Sequence, residues 1–185
     1  MDFYEKFFGY FADGQGQFFP YSDNLGQGEY SDWRHWVWII AAPMLGVFVY
    51  KYFRKNPQKA RSTIVVLSLI LIFSRLTIQI LPQFADDKSI FHVLPFHLCS
   101  ITTGAMGVVA LFNIRILKPP IYTLGVMGGI ATVLFSDAFQ STFINFYDLL
   151  GIIAHTLIII VPLIEKASGT FSFEIKHTPY VFLAC

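Results

Sequence analysis

Three side chains capable of nucleophilic or acid–base chemistry lie in stretches otherwise suited to hydrocarbon. His97 and Cys99 belong to Phe91-His-Val-Leu-Pro-Phe-His-Leu-Cys-Ser100, where an apolar run begins, and His155 interrupts another apolar run. Imidazole and thiol groups are wasted in a membrane unless they face a protein interior or a water-filled cavity, so an intramembrane ionisable group marks a candidate site. A cysteine attacks as its thiolate, and a histidine within hydrogen-bond reach can take its proton. His97 is two residues from Cys99, about 200° round a regular helix, and is expected to point away from it. His155, on another helix, is the better general base, which leaves His97 to orient substrate or support the fold. The plain reading of Cys99 is a small buried hydrophobe.

Depth brings further polar groups to the same level. At ~1.5 Å per residue, Cys99 lies ~6 Å inside Pro95 and His155 ~10 Å inside Asp148. Arg75 and Gln79 are spaced i,i+4 on one helical face, six and two residues before Leu81. All five groups (Arg75, Gln79, His97, Cys99 and His155) therefore fall in one outer third of the membrane, as a polar cavity would. Arg75 offers a planar fork for a phosphate or carboxylate head group. Its structural alternatives are an ion pair with Asp137 or Asp148, or snorkelling to the interface.

The elements that must position these residues follow from composition. Of 185 residues, 55% are hydrophobic and 14% charged, with a mean hydropathy of +0.56. A soluble domain carries roughly a quarter charged residues. Measured against the ~20 residues needed to cross the hydrocarbon, the apolar runs predict spans over 36–53, 63–81 (closed by Pro82), 95–112, 121–136 and 149–164. The tail 178–185 reads as the start of a sixth. Trp33, Trp36 and Trp38 form an interface anchor for the first. Gly125, Gly128 and Gly129 read as close helix packing rather than a phosphate-binding loop.

Orientation follows from the basic residues. Lys51, Arg54, Lys55, Lys59 and Arg61 fall in the loop 51–61, Arg115 and Lys118 in the loop 113–118, and Lys166 after the fifth span. The alternate loops hold Asp86, Asp87 and Lys88, then Asp137 and Asp148. The positive-inside rule makes the first set cytoplasmic and the N-terminus external. Residues 1–35 lack a signal peptide's basic start and cleavage site. Their Phe3, Tyr4, Phe7, Phe8 and Phe11 suit an amphipathic helix in the outer interface or a lid packed on the bundle.

Other chemistries are less well served. Cys99 and Cys185 fall on opposite sides of this topology and cannot pair. His92, His97, Cys99 and His155 are ligand types that zinc accepts, but they show no diagnostic metal-binding spacing, and no cofactor is expected. The basic residues are short juxtamembrane clusters explained by topology, which removes nucleic acid as a partner.

The run Leu94-Pro-Phe-His-Leu-Cys99, the later Ala154-His155 and the aromatic N-terminus ending in Pro20-Tyr-Ser22 resemble the YwaF family. These are bacterial integral membrane proteins of about six spans, related to a eukaryotic transmembrane acyltransferase that remodels phospholipids. The resemblance covers most of the chain and breaks off at the sixth span. It implies a bacterial plasma-membrane location, and it maps the relative's acyl-transfer cysteine and histidine onto Cys99 and His155.

The expectation is thus an all-α polytopic bundle of residues 36–185, five spans plus the start of a sixth, behind an external segment 1–35. Its expected function is a thiol-dependent acyltransferase or acyl hydrolase acting on membrane lipids. Cys99 forms the thioester, His155 is the base, and His97, Arg75 and Gln79 contact substrate. N–H groups opening the third helix are available for the oxyanion. The alternative is a non-enzymatic transporter or lipid-binding module whose cavity is centred on Arg75.

Overall fold

The structure is a computed structural model that describes residues 33–85, 98–135 and 146–172. Of residues 78–85, 98–100, 147 and 148 it describes the backbone only. The expected N-terminal interfacial helix, the loop 82–94 with His92, and the partial span 178–185 therefore lie wholly or mainly outside the described residues.

Every described element is helical. Helix α1 spans Trp33–Lys55, a 3₁₀ turn Pro57–Lys59 follows, and α2 spans Ala60–Ala85. Then come α3 over Leu98–Leu111, α4 over Lys118–Phe135 and α5 over Phe146–Ala167. Segments within α1, the turn with α2, and α5 are long and apolar enough to cross a membrane: Trp33–Lys55, Pro57–Thr77 and Leu149–Ala167.

The bundle exposes apolar surface that a water-soluble protein would bury, over a core that also holds several polar groups. Ile40, Met44, Phe48, Val66, Leu69, Phe73 and Leu76 are exposed, whereas Ser68, Ser74, Thr77, Thr102, Thr103, Lys118 and Glu165 are buried. Contiguous apolar surface on this scale is stable against lipid, not water. The core runs through Leu71, Met106, Tyr122, Ile158, Val161 and Ile164. Helix α5 is the hub and packs against all four others.

Helix pairs approach through small residues, because lipid tails give apolar side chains no reason to leave them and close packing must supply the attraction. A methyl added at Gly129 would meet Ile159 at 2.8 Å and the His155 carbonyl at 3.1 Å. One added at Gly107 would meet Ile72 at 2.8 Å and the Ser68 carbonyl at 3.2 Å. Gly125 is pressed by the Met106 methyl. Of the three glycines expected in helix seams, Gly128 departs, since nothing lies within 4 Å of its would-be Cβ.

Four further expectations change. The presumed basic loop 51–61 is almost entirely helix end, broken only at Asn56. Pro82 does not close α2, whose helical backbone continues to Ala85; a proline forfeits its own N–H, which a helix can absorb near its end. Trp33 and Trp36 are exposed, as interface anchors are, but Trp38 is buried. Its indole Nε1 donates to the Thr156 hydroxyl at 3.0 Å. Lys118 is no loop cation at all: it opens α4, is 2% exposed and is ion-paired with Glu165. In the folded bundle its charge is neutralised, and the exposed cations at these helix ends are Lys51, Arg54, Lys55, Lys59, Arg61, Arg115 and Lys166.

The helix ends carrying these residues gather at one end of the bundle. Arg61 opens α2 and donates from Nη1 to the Ala110 carbonyl (2.8 Å) and from Nη2 to Leu111 (2.6 Å). These carbonyls lie in the last turn of α3, where Ala110 receives only a long bond from the Asn113 N–H (3.4 Å), and a cation there also complements the helix dipole. Asn113, with φ of 56°, lets Ile114 N–H reach the Val109 carbonyl at 3.0 Å, closing α3 with a left-handed cap. Gly169, with φ of 76°, does the same for α5, where Thr170 N–H meets the Glu165 carbonyl at 3.0 Å.

Candidate functional site

The candidate residues distribute over α2, α3 and α5. Cys99 lies in the first described turn of α3, one turn before Thr102 and Thr103, both buried. Its side chain is outside the described residues, as are His97 entirely and the Gln79 side chain. The expected approach of the Cys99 sulfur to the His155 ring falls there too.

Arg75 and His155 are described, and both are half-buried within the bundle. Arg75 projects from the face of α2 that also buries Leu71 and Ser74. Its Cγ lies 3.8 Å from where a Cβ on Gly104 would stand, so the missing side chain on α3 makes room for the arginine stem. Arg75 engages neighbouring groups. Asp137 and the side chain of Asp148, its candidate ion-pair partners, lie outside the described residues.

His155 is fixed by its own helix. Nδ1 sits 2.8 Å from the Gly151 carbonyl oxygen. A carbonyl can only accept, so Nδ1 carries a proton, and in the neutral ring the lone pair is then on Nε2. This tautomer is the one a general base needs, with the far nitrogen free to take a proton. Gly129 on α4 packs on the backbone at His155 and leaves no space for a side chain there. Among the described residues no three His, Cys, Asp or Glu side chains are grouped as metal ligands.

The structure also shows a charged centre that reasoning from sequence missed. Lys118 Nζ donates to Glu165 Oε1 (2.8 Å), Glu165 Oε2 (2.6 Å) and Asn113 Oδ1 (2.6 Å). All three ammonium protons are used, which is the condition for burying a lysine. Nζ also stands 6.0 Å from the centre of the Tyr122 ring, and that ring meets Phe171 edge-on at 5.1 Å. The available signal was Glu165 itself, an acid directly after the apolar run 149–164, where an unpaired carboxylate would be costly. The centre lies at the basic end of the bundle. Arg75 and His155 lie farther towards the opposite end, so the two polar regions are separate.

The sequence matches the TMEM164 family over residues 30–185. No curated protein and no solved structure matches the chain. The match takes in all the described helices and every candidate site residue, and the exposed apolar faces agree with it. The chain belongs to the TMEM164 family, a transmembrane protein family.

Proposed function

We propose that the protein is a thiol-dependent acyltransferase or acyl hydrolase of membrane lipids. Cys99 is the nucleophile and His155 the general base. The observation that carries the reading is the contact that orients His155: Nδ1 is held on the Gly151 carbonyl at 2.8 Å, so that the neutral ring has its lone pair on Nε2. The resemblance of Leu94-Pro-Phe-His-Leu-Cys99 to the YwaF family, with its acyltransferase relative, supplies the nucleophile and the bacterial setting. In the first step Nε2 takes the thiol proton and the thiolate adds to the ester carbonyl of a lipid. Collapse of the adduct breaks the acyl C–O bond, and the proton passes to the departing alkoxide. An alcohol or water then attacks the thioester and regenerates the thiol. Arg75 carries a charge at this level suited to a phosphate head group, with His97 and Gln79 as further substrate contacts.

The bundle is read with the basic helix ends on the cytoplasmic side, which places the Cys99 end outside. Incubation of the reconstituted protein with lipid, followed by mass spectrometry of the Cys99 peptide, tests the chemistry. An acyl adduct released by hydroxylamine is expected. A Cys99 that never acylates while lipid esters turn over would remove the nucleophile. An absence of turnover altogether would favour a transporter or lipid-binding module in which Arg75 holds the anionic group.

A further inference from the structure

A second feature lies on the other side of α5. Helices α1, α4 and α5 enclose a groove of about 540 Å³, lined almost wholly by apolar side chains. That volume is in the range of small-ligand sites, ~300–1,000 Å³. Its concavity is written in α1, where Ala42, Pro43 and Gly46 withhold bulk opposite Ile160 and Leu163 of α5. On α1 the groove extends from Ile39 to Lys51, twelve residues or ~18 Å of helix. One leaflet of a bilayer presents ~15 Å of hydrocarbon. The groove therefore has the length of one lipid chain, and it runs along α1, a helix long and apolar enough to cross a membrane.

Its two ends differ in polarity. Among the described residues the hydroxyl lining the upper end is that of Thr156, and it is already engaged: it donates to the Ile152 carbonyl at 2.8 Å and accepts from Trp38 at 3.0 Å. The lower end is formed by Tyr50 and Lys51, with Arg54 and Lys55 in the next turn of α1. Lys51 is exposed. Apolar along its length and cationic at one mouth, the groove is complementary to an amphiphile with a negative head group.

We propose that this groove is a binding site for an anionic phospholipid of the leaflet at the basic end of the bundle. One hydrocarbon chain lies between α1, α4 and α5, with the phosphate at Lys51. The site is distinct from Cys99 and His155 and does not depend on their chemistry. Basic residues at the edge of an interhelical recess are a known means of holding anionic head groups.

Native mass spectrometry of the full chain in detergent tests this, using phosphatidylglycerol and phosphatidylcholine with identical chains at equal concentration. Phosphatidylglycerol should be retained preferentially. Lys51→Gln should weaken it about five-fold, the effect of one interfacial charge, and leave phosphatidylcholine unchanged. Val47→Trp, which fills the groove from an exposed position, should lower retention of both. Arg115→Gln, a cation of the basic end outside the groove lining, should change neither. Equal retention of the two lipids would overturn the proposal, as would an Arg115→Gln loss matching that of Lys51→Gln. Undiminished retention in a helical Val47→Trp variant, or a dimer that forms in place of lipid adducts, would also overturn it.

Discussion

Replacing Glu165 by Gln keeps the volume of the side chain and removes the charge that Lys118 was buried to meet. In the native protein the Lys118 ammonium is 2% exposed and spends its protons on Glu165 Oε1, Glu165 Oε2 and Asn113 Oδ1. Glutamine offers one neutral oxygen in place of two charged ones. One charge-assisted bond is lost outright, at about 1.5–3 kcal/mol, and the other falls to the ~1 kcal/mol of a neutral bond. The ammonium then stays buried without compensation. The whole lies within the about 3–5 kcal/mol typical of breaking a buried pair. Removing both charges should behave differently. In Lys118→Met with Glu165→Met the apolar stems fill the space, Asn113 at the exposed rim turns to water, and the net change should be within about 1 kcal/mol of wild type. The assay is equilibrium unfolding in mixed micelles by SDS titration, followed by tryptophan fluorescence. The expected order is wild type and double variant close together, with Glu165→Gln far below. A Glu165→Gln variant within about 0.5 kcal/mol of wild type would refute the reasoning. So would a double variant whose loss equals the sum of the single ones, because coupling is the signature of a pair.

Further outcomes are expected elsewhere. Gly129→Ala should loosen the α4–α5 seam by about 1–3 kcal/mol, because its methyl would meet Ile158, Ile159 and a backbone carbonyl. Gly128→Ala, with open space around it, should be neutral or stabilising by up to about 1 kcal/mol in the same titration. In a lipid-turnover assay, His155→Ala should slow the reaction roughly 10²–10⁴-fold. Cys99→Ser should abolish it with the protein still inserted, and a fully active serine variant would contradict the proposed nucleophile. A cysteine at Gln58, exposed on the turn between α1 and α2, should resist labelling by membrane-impermeant reagents in intact cells; labelling from outside would invert the proposed orientation.

What was legible in the sequence was set by hydrophobic length and by lone polar groups. Apolar runs bounded by Lys and Arg located the helices, because a span must carry uninterrupted apolar surface whatever its partners. His155 and Arg75 stood out because each interrupts such a run, and the bundle holds both half-buried. Pairing was not legible. Lys118 and Glu165 are 47 positions apart, and each alone resembles an ordinary interfacial charge; only the packing of α4 on α5 distinguishes a buried pair from two solvated residues. The same holds for Trp38, whose type suits a membrane interface but whose indole is claimed by Thr156. Gly128 and Gly129 differ by 100° of helix rotation, so composition could point to a seam without saying which glycine lies in it.

The long-range contacts at the basic end bear on the order in which the protein is made. Lys118 emerges 47 residues before Glu165, roughly 2–9 s at ~5–20 residues per second of synthesis. Throughout that interval the ammonium has no carboxylate and must remain hydrated at the membrane surface. Helix α4 can therefore enter the bilayer early but cannot seat its basic end until α5 has been translated past its last turn. The Arg61 cap on α3 has a similar delay, since its acceptors Ala110 and Leu111 follow it by 49 and 50 residues. Insertion and docking are thus separated in time, and a nascent chain stalled before residue 165 should hold its helices in the membrane with this end of the bundle still open.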